Sequence, residues 1–392
     1  MGRRKTLRRR RMSFTMASSE QALEGVRYVG LDVHRKSVVA TVLDEGGQVV
    51  QQAKFGPTDR ELVEFLDQLP GRQKIALEAC SMWQHYFDAA RSTGAEVVLS
   101  DPFKTRLIAK TNRKTDRVDS QALATLLRLD SLPSVFAPPP EIRALRSIVR
   151  ERVFYRRKTT SMMMRIYHEL IARGIEYEDR ILVHRRKREV LRKLGLPLVD
   201  RGLDAIRAME ETTKLLDGAI EEAWEASSDA QLLSTIPGVG KLTSVALVAF
   251  LCPIERFGSE EGVGSYVGLV PSTYQSGEHL YHGHLKRDSN GLLRTLLVEA
   301  SWTHRLRCRR GSVAKIARRV SRRGGKGRGS IAAAHKLLKI IHAMLKRKEP
   351  FRVDAPGPST AMQCVRRRET TALQSLRRAT LGSPTANRLS AS

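Results

Sequence analysis

Between Val26 and about Leu129 the hydrophobic pattern switches repeatedly between two periods. In Tyr28–His34, Val29, Leu31 and Val33 alternate with Tyr28, Gly30 and Asp32, the period-two spacing of a strand. Similar runs predict strands at Val38–Asp44, Val49–Lys54, Ile75–Glu78 and Glu96–Leu99, and Gly46-Gly47 supplies a tight turn between the second and third. Helical spacing predicts helices at Asp59–Leu69, Ser81–Thr93 and Asp116–Leu129. Hairpin strands followed by βα units predict an α/β domain, a mixed sheet with helices on it, spanning 26–137 and closed by Pro138-Pro139-Pro140.

The pattern then becomes helical. Glu141–Gly174 reads as one long helix, with Leu145, Ile148, Tyr155, Met162 and Ile166 on three- and four-residue spacing and arginines crowding the other face. Gly202–Ala226 reads as a second, apolar at Leu203, Ile206, Met209, Leu216, Ile220 and Trp224 and acidic elsewhere. Opposite charges on the two suit a helical pair or coiled coil over 141–228, inserted between globular parts. A mainly helical C-terminal domain is expected over 229–348, with Ile331–Lys346 its last helix. Residues 351–392 lack apolar periodicity and are expected to be disordered, and residues 1–25 form a basic N-terminal arm.

Asp32 changes this picture. A carboxylate in the middle of a core strand is costly to bury unless it is paired, hydrogen-bonded or bound to a cation. Glu78 closes a second apolar segment, and Asp116 and Asp119 stand at i and i+3 on one face of a predicted helix. Four carboxylates in this order make a hard-cation site of oxygen ligands, suited to metal-assisted phosphoryl transfer. The competing roles are plain structural ones, Asp116 capping its helix and Asp119 pairing with an arginine. His279, His282 and His284 have spacing that suits neither one helix face nor a zinc box and are read as an accidental cluster.

Lys plus Arg number 69 against 41 Asp plus Glu, a net charge of +28, which points to a polyanionic partner. From Arg305 to Arg328 there are eleven Lys or Arg and no acid, with Gly324-Gly325 and Gly327 breaking the run. Within it Arg305, Arg307, Arg309, Arg310, Arg318, Arg319, Arg322 and Arg323 are the candidate phosphate contacts. A turn at Ile236-Pro-Gly-Val-Gly240 followed by Lys241 resembles a helix-hairpin-helix, whose backbone N–H groups would face phosphate at Gly238, Gly240 and Lys241. No stretch approaches a membrane span, the basic start lacks an apolar region behind it, and the four cysteines have no CxxC spacing. A cytoplasmic protein with reduced cysteines and no structural zinc is expected.

These residues carry a resemblance. GLDVHRKS (Gly30–Ser37), LEA (Leu77–Ala79) and KTDRVDSQALA (Lys114–Ala124) are similar to motifs of the DEDD-type transposases of bacterial insertion sequences, the insertion-sequence-110 family, which includes the pilin-gene invertases. IPGVG (Ile236–Gly240), YVGLVPSTYQSG (Tyr266–Gly277) and GHLKRDSNGLLRTLL (Gly283–Leu297) extend the likeness through the C-terminal half. The resemblance implies a RuvC-like (ribonuclease H fold) domain holding Mg²⁺ through Asp32, Glu78, Asp116 and Asp119. It also implies a coiled-coil insertion and a C-terminal transposase domain whose nucleophile falls on Ser276, with Ser272 the other serine of that loop. Further implied are DNA partners at the element ends and target, and a structured non-coding RNA encoded by the element as guide. The chain departs from the family pattern at Glu278, Lys286 and Ser289.

The expected activity is therefore Mg²⁺-dependent, serine-assisted cleavage and exchange of DNA strands by a homo-oligomer, a dimer or tetramer. A RuvC-like nuclease or Holliday-junction resolvase with water as nucleophile is the alternative. An actin-like sugar kinase would need further glycine-rich loops, and a nucleic-acid-coating protein would leave the four ordered acids unexplained.

Overall fold

The computed structural model describes residues 25–109, 115–276, 279–285 and 288–352, and of 273–276 and 279–282 the backbone only. Residues 1–24 of the basic arm, all but two residues of the C-terminal tail, Glu278 and Lys286 lie outside the described residues. The chain divides into two compact units, Met1–Pro138 and Pro139–Ser392, at the proline run.

The first unit is a five-stranded mixed sheet in the order β3-β2-β1-β4-β5. β1 (Val26–His34), β2 (Ser37–Leu43) and β3 (Val49–Phe55) form an antiparallel meander, then α1 (Asp59–Asp67), β4 (Arg72–Glu78), α2 (Trp83–Ser92) and β5 (Glu96–Ser100) add two parallel strands beside β1. Val29, Leu31, Ile75 and Leu77 pack against Leu62, Phe65, Leu66 and Tyr86 on one face of the sheet. The opposite face receives α4 (Asp116–Arg128), whose Leu123 and Leu127 pack on Ala76. Before it stands α3 (Pro102–Ile108), which the hydrophobic pattern did not predict. Its Asp101 cap accepts hydrogen bonds from the N–H groups of Phe103 and Lys104, and Pro102 follows at the first helical position, a local start signal.

In the second unit α5 (Pro140–Ala172) and α7 (Pro197–Glu225) lie side by side. They run antiparallel, since Arg152 Nε donates to Asp217 at 2.8 Å while Ile166 meets Gly202 towards the other end. A Cβ on Gly202 would stand 2.9 Å from Ile166 Cδ1, so the glycine lets the helices close there. The connecting segment, including the one-turn α6 (Arg185–Arg188), packs Leu182 and Leu191 against Ile166, Leu170, Val199, Leu203 and Ile206.

Arg188, only 3% exposed at its side chain, holds Glu210 through two hydrogen bonds of 2.8 and 2.7 Å. The Arg188 hydrogen bonds keep the Glu210 carboxyl below the ordinary glutamate range, against an opposing push from burial. Stability from this group is therefore present above the unfolded-chain pKa and is lost as pH falls through the lower folded value. Glu210→Gln should lower stability to urea at neutral pH, and the gap from the parent chain should close as both are titrated into the acid range. A gap that persists unchanged at acid pH would show that the carboxylate charge is not what stabilises this end of the helical pair.

The rest of the unit comprises α8 (Ser228–Ser234), α9 (Lys241–Leu251), α10 (Glu260–Val267), the hairpin β6 (Pro271–Ser276) and β7 (His279–Leu285), α11 (Gly291–Arg307) and α12 (Ser312–Arg347). Phe250, Leu251, Leu297, Leu337 and Ile341 are central to its core, which Phe351 joins from the end of the described chain. The domain is thus not purely helical; the hairpin was not foreseen. α12 is two helices joined at a kink within the glycine run. Only Gly325 is non-helical (φ 84°, ψ 167°), while Gly324 and Gly327 continue helical turns. Gly329 packs across this break, where a Cβ would stand 2.8 Å from Ala317 O.

Candidate active site and nucleic-acid surface

Strand alternation places Tyr28, Gly30 and Asp32 on the α4 face of the sheet. β1 and β4 are aligned by the Leu31–Leu77 pair, so Asp32 and Glu78, one residue further on, leave neighbouring parallel strands side by side. The approach of α4 depends on Gly30, since a Cβ there would lie 2.0 Å from Ser120 O and 2.6 Å from Ala124 N. A buried hydrogen bond of 2.8 Å between the hydroxyls of Thr41 and Ser120 then ties the helix to β2.

This seating brings the first turn of α4 to the end of β1. The cap is Thr115, whose hydroxyl accepts from Val118 N, so Asp116 does not cap the helix. Asp119 has no cation within ion-pair distance among the described residues. One oxygen or nitrogen each from Asp32, His34 and Asp116 gather within 4.8 Å of one another. His34 Nε2 is 2.9 Å from Asp32 Oδ2 and 3.5 Å from Asp116 Oδ1, and Lys54 Nζ is 3.7 Å from the other Asp116 oxygen. Burial pushes the Asp32 carboxyl above its ordinary pKa, the His34 ring opposes the shift, and the negative charges of Asp119 and Asp116 add to it. Crowded, partly desolvated carboxylates of this kind are stabilised by a cation, and the donor set fits a hard divalent ion. His34 was missed as a site residue, although period-two spacing sets it on the same strand face as Asp32.

Ser276 belongs to the second unit, as the last residue of β6, in register with His279. Ser272 Oγ donates to the His284 carbonyl at 3.0 Å and so serves the hairpin itself. Gly238 (φ +100°) sits against α11, where a Cβ would meet Ala300 O at 2.7 Å and His304 N at 2.8 Å, and Pro237 O is 2.9 Å from His304 Nδ1. Packing alone thus accounts for this glycine. Gly240 caps α9, and Lys241 pairs with Glu221 over the ring of Trp224.

The basic residues from Arg305 to Arg328 lie on the end of α11, the following link and the first part of α12. All but Arg305 are exposed, and among the described residues none forms an ion pair with a carboxylate. Arg318 Nη1 donates to Arg309 O at 2.9 Å, holding the link to α12.

Two family models match the chain in order, a DEDD-type transposase model over residues 29–170 and the IS116/IS110/IS902 transposase model over residues 230–317. The chain belongs to the IS110 family of transposases. Among its relatives, the transposase for insertion sequence element IS1111A of Coxiella burnetii is 25% identical over 358 residues, covering 86% of this chain and 94% of the relative. The transposase for IS1328 of Yersinia enterocolitica is 23% identical over 325 residues, covering 81% and 96%. The pilin gene-inverting protein of Moraxella lacunata is 28% identical over 186 residues, covering 45% and 56%. The IS110-family membership makes this chain a transposase, an enzyme that binds, cuts and joins DNA. Its five-stranded mixed sheet is consistent with a ribonuclease H-like DEDD domain. No described helix is long and apolar enough to cross a membrane.

Proposed function

We propose that this transposase exchanges DNA strands by Mg²⁺-dependent phosphoryl transfer with Ser276 as nucleophile, guided by an RNA that its insertion sequence encodes. The observation that carries the metal-dependent part is the gathering of Asp32 and Asp116, from β1 and α4, within reach of one ion. Asp32, Glu78, Asp116 and Asp119 hold Mg²⁺, and His34 orients the Asp32 carboxylate. Bound there, Mg²⁺ supplies positive charge against the charge that builds up on the phosphate oxygens during transfer. The Ser276 oxygen forms a bond to phosphorus as the bond from phosphorus to a deoxyribose oxygen breaks. The serine proton leaves to solvent, and the departing strand end takes one up. Attack by a second strand end on the phosphoserine reverses these changes and rejoins the DNA, and the covalent link conserves the ester bond in between. The basic surface of α11 and α12 grips phosphates, and the chain works as a dimer or tetramer through its α5–α7 pair.

A RuvC-like nuclease using water predicts the same acids but no covalent link, so the two readings separate on one experiment. Labelled element-end DNA is incubated with the full chain, its guide RNA and Mg²⁺, quenched in denaturant and resolved for protein–DNA adducts. The parent chain should give an adduct sensitive to nuclease, and Ser276→Ala should give none while still binding DNA. Cleavage by Ser276→Ala at the parental rate, without adduct, would leave the nuclease; an adduct retained in that variant would move the nucleophile elsewhere. Activity indifferent to the RNA would remove the guide from the proposal.

A further inference from the structure

The aromatic ring that the proposed phosphate surface carries was not among the residues that its charge pattern singled out. Trp302, on α11, is 51% exposed. Its indole N–H donates to Ser330 Oγ of α12 at 3.0 Å, so the ring is held at its edge while much of it faces solvent. The other two tryptophans are engaged: Lys241 covers the face of Trp224, and Trp83 packs edge-on against Phe87 in the first unit. Among the described residues no ring or cation lies over Trp302. Helical spacing sets Arg305 and Leu306 one turn beyond it, and Leu306 is 70% exposed. Lys326 lies one turn before Ser330, exposed on the other helix. A fixed, exposed indole bordered by cations that no described carboxylate neutralises suits a ligand combining a flat π-face with negative charge.

We propose that Trp302 is a stacking platform for an unpaired base of the DNA that this transposase cuts. The proposal rests on the reading of the basic surface as a phosphate grip, and adds to it a preference for unpaired strands. A base within a duplex stacks on its neighbours and offers no face to the indole, whereas an unpaired base does. DNA is the committed source because strand exchange frees ends with unpaired nucleotides at the enzyme.

The test uses the full chain in metal-free buffer, with one DNA sequence offered as single strand and as duplex, and the matching single-stranded RNA. Trp302→Ala should weaken single-stranded DNA by on the order of tenfold or more, leave the duplex within about twofold, and leave the salt slope unchanged. Trp302→Phe keeps a stacking face without the bond to Ser330 and should recover most of the affinity. Equal losses for single strand and duplex, with no recovery in Trp302→Phe, would make Trp302 a structural prop and overturn the proposal. So would an unchanged single-strand affinity, and a loss confined to RNA would overturn the assignment to DNA. The parallel variant Arg318→Gln/Arg319→Gln should weaken all three ligands and flatten the log K against log salt slope by ~0.7 to 0.9 per lost contact. If that variant changes nothing while Trp302→Ala remains selective for the single strand, the phosphate-grip reading fails and the stacking platform stands.

Discussion

Asp32→Asn is expected to lower strand cleavage by roughly three orders of magnitude or more while leaving DNA affinity within about twofold. Asparagine keeps the size of the side chain and an oxygen for His34, so the fold should tolerate it. What it removes is one negative charge from the group that Asp32 forms with Asp116 and Asp119, and with it much of the attraction for a divalent ion. The cations proposed to grip DNA lie on α11 and α12, untouched by the change. Mn²⁺ binding followed by paramagnetic resonance gives a readout independent of turnover and should weaken in step. Near-parental cleavage in Mg²⁺ by Asp32→Asn, and by Asp116→Asn as a second ligand, would sink the metal-site assignment.

The other large effect is expected away from the chemistry. Gly30→Ala should destabilise the first unit by ~3 kcal/mol, the upper part of the usual range for overpacking, and lower its thermal midpoint by on the order of 10 °C. The added methyl would lie 2.0 Å from Ser120 O, and neither β1 nor α4 can yield by turning a side chain. The helix must lift, stretching the Thr41–Ser120 hydrogen bond and carrying Asp116 and Asp119 away from Asp32. Cleavage should therefore fall even at temperatures where the variant is fully folded. Full activity in a folded Gly30→Ala protein would show that the acids do not depend on this seating.

Much of the first unit was legible because β1 alternates apolar and polar residues and β2 and β4 are short apolar runs. The predicted strand at Val49–Lys54 falls one residue short of the observed end at Phe55, and Glu96–Leu99 one short of Ser100. α3 was not legible. Its Phe103, Leu107 and Ile108 are all more than half exposed, so the apolar positions that normally reveal a helix do not mark a buried stripe. The β6–β7 hairpin was hidden by a polar, glycine-bearing sequence with little β-branched character. In α12 the glycines read as breakers, and the helix does kink at Gly325, beyond which Gly329 packs back against Ala317. Asp32 could be singled out because a carboxylate is unexpected in a core strand, and Asp116 and Asp119 because they stand at i and i+3 on one helix face. His34 and Trp302 could not, since their significance comes from what faces them across the fold.

The glycine contacts differ in a way that a genetic selection would register. At Gly202 the obstacle to a larger residue is the Ile166 side chain, which a second mutation can trim to valine or alanine. At Gly30 the obstacles are a carbonyl oxygen and an amide nitrogen, present whatever residues occupy positions 120 and 124. A defect at Gly202 therefore has an intragenic suppressor within reach. One at Gly30 does not, and lineages that lose this glycine should recover only by reverting to it.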